Sequence, residues 1–153
     1  MKNADFKRRF KLAAHTEKWA VTMTKVRIRQ AVAGAPFPHW HLLTFAGPQG
    51  GEARGIVDLI AIRKDHGAPP NGLKRGDTFH IILIQVKGGH AARPTVEDGK
   101  RLRIVARQHH ASRVLLASWK KGTAAKFFSL RSRASARSAD DWVEVADLKA
   151  VFC

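Results

Sequence analysis

Acidic residues are scarce in this chain, cysteine is nearly absent, and no long apolar run occurs along it. Each shortage excludes a class of protein. The one cysteine, Cys153, has no partner in the chain, so neither an intrachain disulfide framework nor a cysteine zinc site can form within it. That usage fits a cytoplasmic setting, association with a nucleoid included. No apolar stretch reaches the roughly 20 residues that a spanning helix needs, and Met1 to Lys11 is charged and interrupted, unlike a secretory h-region. A membrane-inserted protein is therefore not expected. Neither a P-loop nor a GxGxxG fingerprint is present, which leaves nucleotide-driven motors and dinucleotide enzymes without support.

What the chain has in abundance is positive charge. Lys and Arg total 28 against 12 Asp and Glu, a formal net charge of +16. Such a surface attracts polyanions. Nucleic acid is the commonest of these, and neutralising its phosphates releases counterions and yields salt-sensitive affinity. An RNA- or ribosome-associated basic protein shares this property, and charge alone does not separate the two. A basic amphipathic N-terminus lying on a lipid surface is a weaker reading, because the cations are spread over the whole chain. At 153 residues and 44% hydrophobic content, one core is affordable and two are not, so 1–153 is expected to form a single domain.

The pattern of apolar residues predicts an α/β order. Phe6, Phe10, Ala13 and Ala20 recur at helical spacing between Ala4 and about Val32. Pro36 and Pro38 end that segment, and three strand-like runs follow at His39 to Phe45, Arg54 to Ile62 and Thr78 to Val86. Asn71-Gly72, between the second and third runs, is a hairpin signal. After Pro94, Thr95 and Asp98 have capping-box spacing, and Leu102, Val105, Ala106 and His109 mark one face of a second helix. Arg113 to Trp119 reads as a strand. Beyond it the pattern resolves only an exposed Arg/Ser/Ala loop at Arg131 to Ala139, a short strand at Trp142 to Val145 and a short final helix or strand.

Polar groups inside two of these runs carry the chemistry. Ile81 to Lys87 is apolar on both faces, as a central strand is, yet Gln85 and Lys87 share one face. Asp58 shares its face with Ile56, Ile60 and Ile62, where a carboxylate is costly to desolvate unless a cation or donors meet it. A hairpin folded symmetrically about Asn71-Gly72 sets Asp58 opposite Gln85. A carboxylate, an amide oxygen and an ammonium then converge, which suits a hard divalent cation with a lysine beside it. The plainer reading is an Asp58–Lys87 salt bridge in an ordinary sheet.

Asp58 followed by Gln85-Val86-Lys87 resembles the signature of the PD-(D/E)XK nuclease superfamily, in its Q-x-K form. Val57 stands where that signature has Pro, and Gln85 where it has an acid. The resemblance implies a restriction-endonuclease-like αβββαβ core with a mixed central sheet flanked by helices, matching the order read here from about Phe6 to Trp119. It implies a metal-dependent nuclease that leaves 5′-phosphates, with DNA favoured over RNA and with Mg2+ or Mn2+ as cofactor. Carried over position by position, Asp58, Gln85 and Lys87 are the catalytic set. Asp58, the side-chain carbonyl of Gln85 and the backbone carbonyl of Val86 would ligate the metal, and Lys87 would handle the attacking water. A further acid would offset the neutral Gln85. Glu17, on the stripe of the first helix, is favoured over Glu52, in the loop before Asp58. Members of this class often dimerise to cut both strands, which leaves a homodimer open. An inactive nucleic-acid-binding module of the same fold is the alternative.

Lys100, Arg103, Arg107 and His110 line one face of the second helix and form, with Arg93, the expected phosphate-gripping surface. Lys74, Arg75, Lys120, Lys121 and Lys126 would widen it. His39 and His41 share a strand face, but no Cys or acid stands near in sequence to complete a zinc set. Trp19, Trp40, Trp119 and Trp142 are single and read as core rather than as base-stacking platforms.

Overall fold

The strand around Ile81 to Lys87 carries apolar side chains on both faces, so it has to be covered on both. The computed structural model describes residues 2–36, 39–45, 55–133 and 141–153, with side chains from Thr16 onward. In chain order the elements are α1 Lys2–Val32, β1 His41–Thr44, β2 Leu59–Lys64, β3 Phe79–Gly88, α2 Val96–Gln108, β4 Arg113–Trp119, β5 Lys126–Leu130, β6 Trp142–Glu144 and α3 Leu148–Phe152. Among the described residues the strands form one mixed sheet of order β1-β2-β3-β4-β5-β6. β3 and β4 are parallel neighbours separated in sequence by α2, and the other neighbours are antiparallel. The chain is therefore α/β with a mixed sheet, the class that the apolar pattern predicts.

On one face, Leu59, Ala61, Ile82, Ile84, Val86 and Leu115 pack under Ala20, Ile28 and Val32 of α1 and Phe152 of α3. The other face buries Leu83, Val114 and Leu130 beneath Leu102 of α2. Each fully buried Leu, Ile, Val or Phe side chain among them contributes about 1.5–3 kcal/mol. The buried stripe of α1 also contains a polar residue. Thr24 donates its hydroxyl to the Ala20 carbonyl at 2.8 Å and accepts Trp119 Nε1–H at 2.8 Å, so the indole crosses the core fully satisfied. Trp40 likewise donates to the Phe152 carbonyl at 2.8 Å. Phe6, Phe10 and Ala13 fall within α1, but their side chains lie outside those described.

The hairpin signal at Asn71-Gly72 becomes a type I′ turn. Both residues have positive φ, 57° and 77°, and Leu73 N–H donates to the Pro70 carbonyl. The register expected from it holds along the hairpin, from Leu59 opposite Ile84 to Lys64 opposite Phe79. α2 starts at the expected capping box, with Thr95 Oγ1 accepting from Asp98 N–H and Asp98 Oδ2 accepting from Thr95 N–H. Its C-terminus is a Schellman motif: Ala111 N–H donates to the Ala106 carbonyl and His110 N–H to that of Arg107. His110 occupies the left-handed position of that motif, with φ 51°, where glycine is usual. Holding a β-carbon there costs on the order of 1 kcal/mol.

Two boundaries differ from the sequence reading. β2 begins at Leu59: of the strand expected from Arg54, Gly55 to Asp58 precede it, with the Asp58 side chain taking the Val86 N–H, and Arg54 lies outside the described residues. β5 is an element that the sequence pattern does not resolve. It is a five-residue strand, Lys126–Leu130, whose Phe127 and Phe128 are both buried.

The approach of α1 to the end of β3 is close. A β-carbon added at Gly88 would lie 3.1 Å from Ala20 Cβ and 3.4 Å from the Thr16 carbonyl oxygen. Gly88→Ala should therefore push α1 off the sheet and lower stability by about 1–2 kcal/mol, a fall in Tm of roughly 2–8 °C by thermal melting. An unchanged Tm would mean that the helix is not seated this tightly.

Candidate active site

The end of β3 that meets α1 also gathers the polar residues. Leu83 lies on the α2 face, so alternation puts Gln85 and Lys87 on that face too. Asp58 follows from the hairpin register. Leu59 is opposite Ile84, so Asp58 stands beside Gln85, immediately before β2 rather than within it. Its backbone N–H donates to the Ile84 carbonyl at 3.0 Å, and its Oδ2 accepts the N–H of Val86 at 2.6 Å. A side-chain oxygen thus takes a strand N–H, fixing the carboxylate at the mouth of the sheet.

Gln85 is 5% exposed, and its Oε1 is a buried acceptor without a hydrogen-bond partner. Leaving such an oxygen unmet costs about 1–3 kcal/mol. Burial pushes the carboxyl of Asp58 above its ordinary range. The Glu17 carboxylate pushes it the same way, while the Val86 N–H and the Lys87 ammonium pull it back. Asp58 and Lys87 lie within electrostatic reach of each other without forming an ion pair, so the simple salt-bridge reading does not describe the site.

Glu17 is exposed, not turned into the core as its place on the helical stripe suggested. The buried stripe of α1 is Ala20, Thr24, Ile28 and Val32, and Glu17 lies off its inner edge. It nonetheless sits where α1 crosses Gly88 and Gly89, close enough to act on Asp58. Glu52 lies outside the described residues. No group of three His, Cys, Asp or Glu side chains arranged to hold a metal occurs among the described residues, His39 and His41 included. The oxygens near Asp58 that could serve a cation are a mixed set: its own carboxylate, the amide of Gln85 and, farther out, Glu17.

The basic surface is only partly as expected. Arg103 is withdrawn from it: the guanidinium pairs with Asp141 at 3.1 Å, with the two side chains 11% and 3% exposed, and donates to the carbonyls of Arg131 and Arg133. Its spacing on the helix is right, but a buried carboxylate from far along the chain claims it. Lys100 is exposed and paired with Glu97 at 2.7 Å. Arg93 lies over the Phe128 ring, 4.7 Å from its centroid. Phe128 is in register with Leu116 and, through it, with Gln85, so Arg93 stands over the same sheet row as the candidate ligand. Arg107 and His110 are exposed at the far end of α2. The sequence reading used Asp98 only as a cap, yet its carboxylate also acts on Lys87. The Thr95 N–H bond, chiefly, holds that carboxyl below its ordinary range and therefore ionised. Its place next to Glu97, just before a run of basic residues, was the available signal.

Trp119 is buried, and Trp40 and Trp142 are partly so, as expected of core residues. Trp19 is 47% exposed and meets Trp119 edge to face at 5.3 Å. No helix among the described residues is long and apolar enough to cross a membrane. Comparison with known proteins finds no family model and no curated protein that matches the chain.

Because the folded pKa of Asp58 is raised, ionising this carboxylate lowers stability as pH climbs through that value. Asp58→Asn keeps an oxygen for the Val86 N–H and removes the charge. With chelator present it should melt higher than wild type at pH 7, and the advantage should vanish as pH falls toward the ordinary carboxylate range near ~3.9. A wild type equally stable at pH 7 would contradict the desolvated placement of this carboxylate.

Proposed function

We propose that the chain is a metal-dependent phosphodiesterase acting on nucleic acid, with DNA favoured, and a member of the PD-(D/E)XK superfamily in its Q-x-K form. One observation carries the reading: a buried, unpartnered Gln85 Oε1 stands beside a desolvated Asp58 carboxylate, with Lys87 on the same sheet face. Each of these is unfavourable in a purely structural sheet end, and a cation relieves the first two together. The element order α1 β1 β2 β3 α2 β4 supports the finer fold assignment, since it is the αβββαβ order that the resemblance implies.

The donors fit a hard divalent ion such as Mg2+ or Mn2+, which takes carboxylate and carbonyl oxygens. Asp58 and Gln85 Oε1 would hold it. The Val86 carbonyl is available to help, because a strand residue in an antiparallel ladder directs its N–H and C=O to the same side, here toward Asp58. Glu17, exposed on α1, would add negative charge nearby. When bound, such an ion supplies Lewis-acid activation of water and neutralises phosphate charge. The protein's own groups do the rest. Lys87 would orient the attacking water and donate to the phosphoryl oxygens, and Asp98 acts on it electrostatically without pairing with it at contact distance. Arg93 and the exposed cations of α2 hold the backbone phosphates in place. One such site cuts one strand, so cleavage of both strands would use a second copy. The work belongs with intracellular nucleic acid, where a lone thiol stays reduced.

Labelled single-stranded, duplex and branched DNA, incubated with Mg2+ or Mn2+, should be cut by the wild type and leave 5′-phosphates. Asp58→Ala and Lys87→Ala should each lower the rate by about 100-fold or more. Gln85→Glu, which adds the missing charge, should cut at lower metal concentration than wild type. Tight binding at low salt without cutting under any metal would replace this reading with that of a binding module.

A further inference from the structure

The end of α2 remote from Asp58 borders a cavity of about 680 Å³ between that helix, the start of β4 and the end of β5. Arg107, His110 and Arg131 stand around it, with Arg113 at its rim, where β4 begins and the residue also borders the cavity on the other face of the sheet; all four are exposed, and Val114 and Leu130 form an apolar floor. None of its described lining residues is acidic. Asp141 is committed to Arg103. That same pair fixes the wall of the cavity, because Arg103 also binds the carbonyls of Arg131 and Arg133. The cations are thus gathered by a rigid frame, with no partner acid among the described lining residues.

His110 adds an independent observation. It holds the left-handed position of the Schellman motif, at φ 51°, where a glycine would close the helix without strain. Strain of this kind is kept where the side chain is needed. The side chain that it keeps is an imidazole aimed at a basic cavity.

We infer that this cavity is a second phosphate subsite, which grips the nucleic-acid backbone away from the point of cleavage. The inference rests on nucleic acid lying along α2, as proposed above. Its distance follows from the sheet. Lys87 is in register with Ser118, five residues along β4 from Arg113, which is about 17 Å. At about 3.4 Å per nucleotide step, that is roughly five steps of a duplex. The subsite reads no base. It sets where along the strand the scissile phosphate falls, and it disfavours substrates too short to reach.

The test is binding of a labelled 20-base-pair duplex in chelator, titrated with salt. Arg107→Gln/Arg113→Gln should weaken binding about tenfold or more and flatten the salt dependence of log K by roughly 1.8, near 0.9 for each lost phosphate contact. The charge-matched pair Arg27→Gln/Arg29→Gln, on α1 across the sheet, should change either quantity far less. His110→Gly should raise Tm while weakening binding, a combination that a merely structural residue does not give. Equal losses from both Arg pairs would overturn the subsite in favour of diffuse charge. Saturation of the cavity by inorganic phosphate or a nucleoside monophosphate, with duplex binding unmoved by Arg107→Gln/Arg113→Gln, would overturn the backbone assignment in favour of a free phosphate compound. Because no cleavage is measured, failure here leaves the Asp58 site standing, and an uncut substrate leaves this subsite standing.

Discussion

The hydrogen bond from Val86 N–H to Asp58 Oδ2, 2.6 Å long, is the constraint on which the candidate site depends. A central strand must satisfy its backbone groups, and here the neighbouring strand stops one residue short of doing so. The carboxylate that takes over cannot rotate away without orphaning a buried N–H, which costs about 1–3 kcal/mol. Asp58 is therefore held by the same requirement that makes sheets, and its second oxygen is left for something else. Gln85 is held as firmly from the other side, because it belongs to β3, and β3 is buried on both faces.

Electrostatics then separates the groups by role. Burial and Glu17 raise the Asp58 carboxyl, while Lys87 and the Val86 N–H oppose that rise. Had Lys87 formed a contact pair with Asp58, the site would be quiet, with each charge answering the other. Instead the lysine acts on two carboxylates, Asp58 and Asp98, and pairs with neither. Asp98 is tied to the cap of α2 by the Thr95 N–H and is not free to close on Lys87. The helix cap thus has a second consequence: it stations an ionised carboxylate near the lysine at a fixed remove.

Much of this was legible in the sequence, for identifiable reasons. The central strand shows in its two-faced apolar run, the α2 start in Thr95 and Asp98, and the hairpin register in Asn71-Gly72, since both residues tolerate the positive φ of a type I′ turn. Those signals are local, and local chemistry decides them. What escaped was decided at long range. Arg103 looks like its neighbours on the helix until Asp141, 38 residues later, reaches back to it. Glu17 shares the spacing of an apolar stripe, but the stripe that α1 buries is set by where the helix meets Gly88, which periodicity does not reveal. β5 is short, and its signal amounts to Phe127 and Phe128 after a polar turn.

The buried pair of Arg103 and Asp141 shows how one charge can serve a charged surface without belonging to it. A buried ion pair is seldom a net source of stability, since desolvating both partners offsets most of their attraction, whereas removing one partner alone costs about 3–5 kcal/mol. Its use here is geometric. The remaining hydrogen bonds of Arg103 reach the carbonyls of Arg131 and Arg133, which binds the end of β5 to the middle of α2. On a chain with a net charge of +16, cations repel one another and would spread apart on free loops. Arg107, Arg113 and Arg131 come from a helix, a strand start and a strand end, so only a fixed frame keeps them around one cavity. A cation withdrawn from solvent is what allows the others to act together.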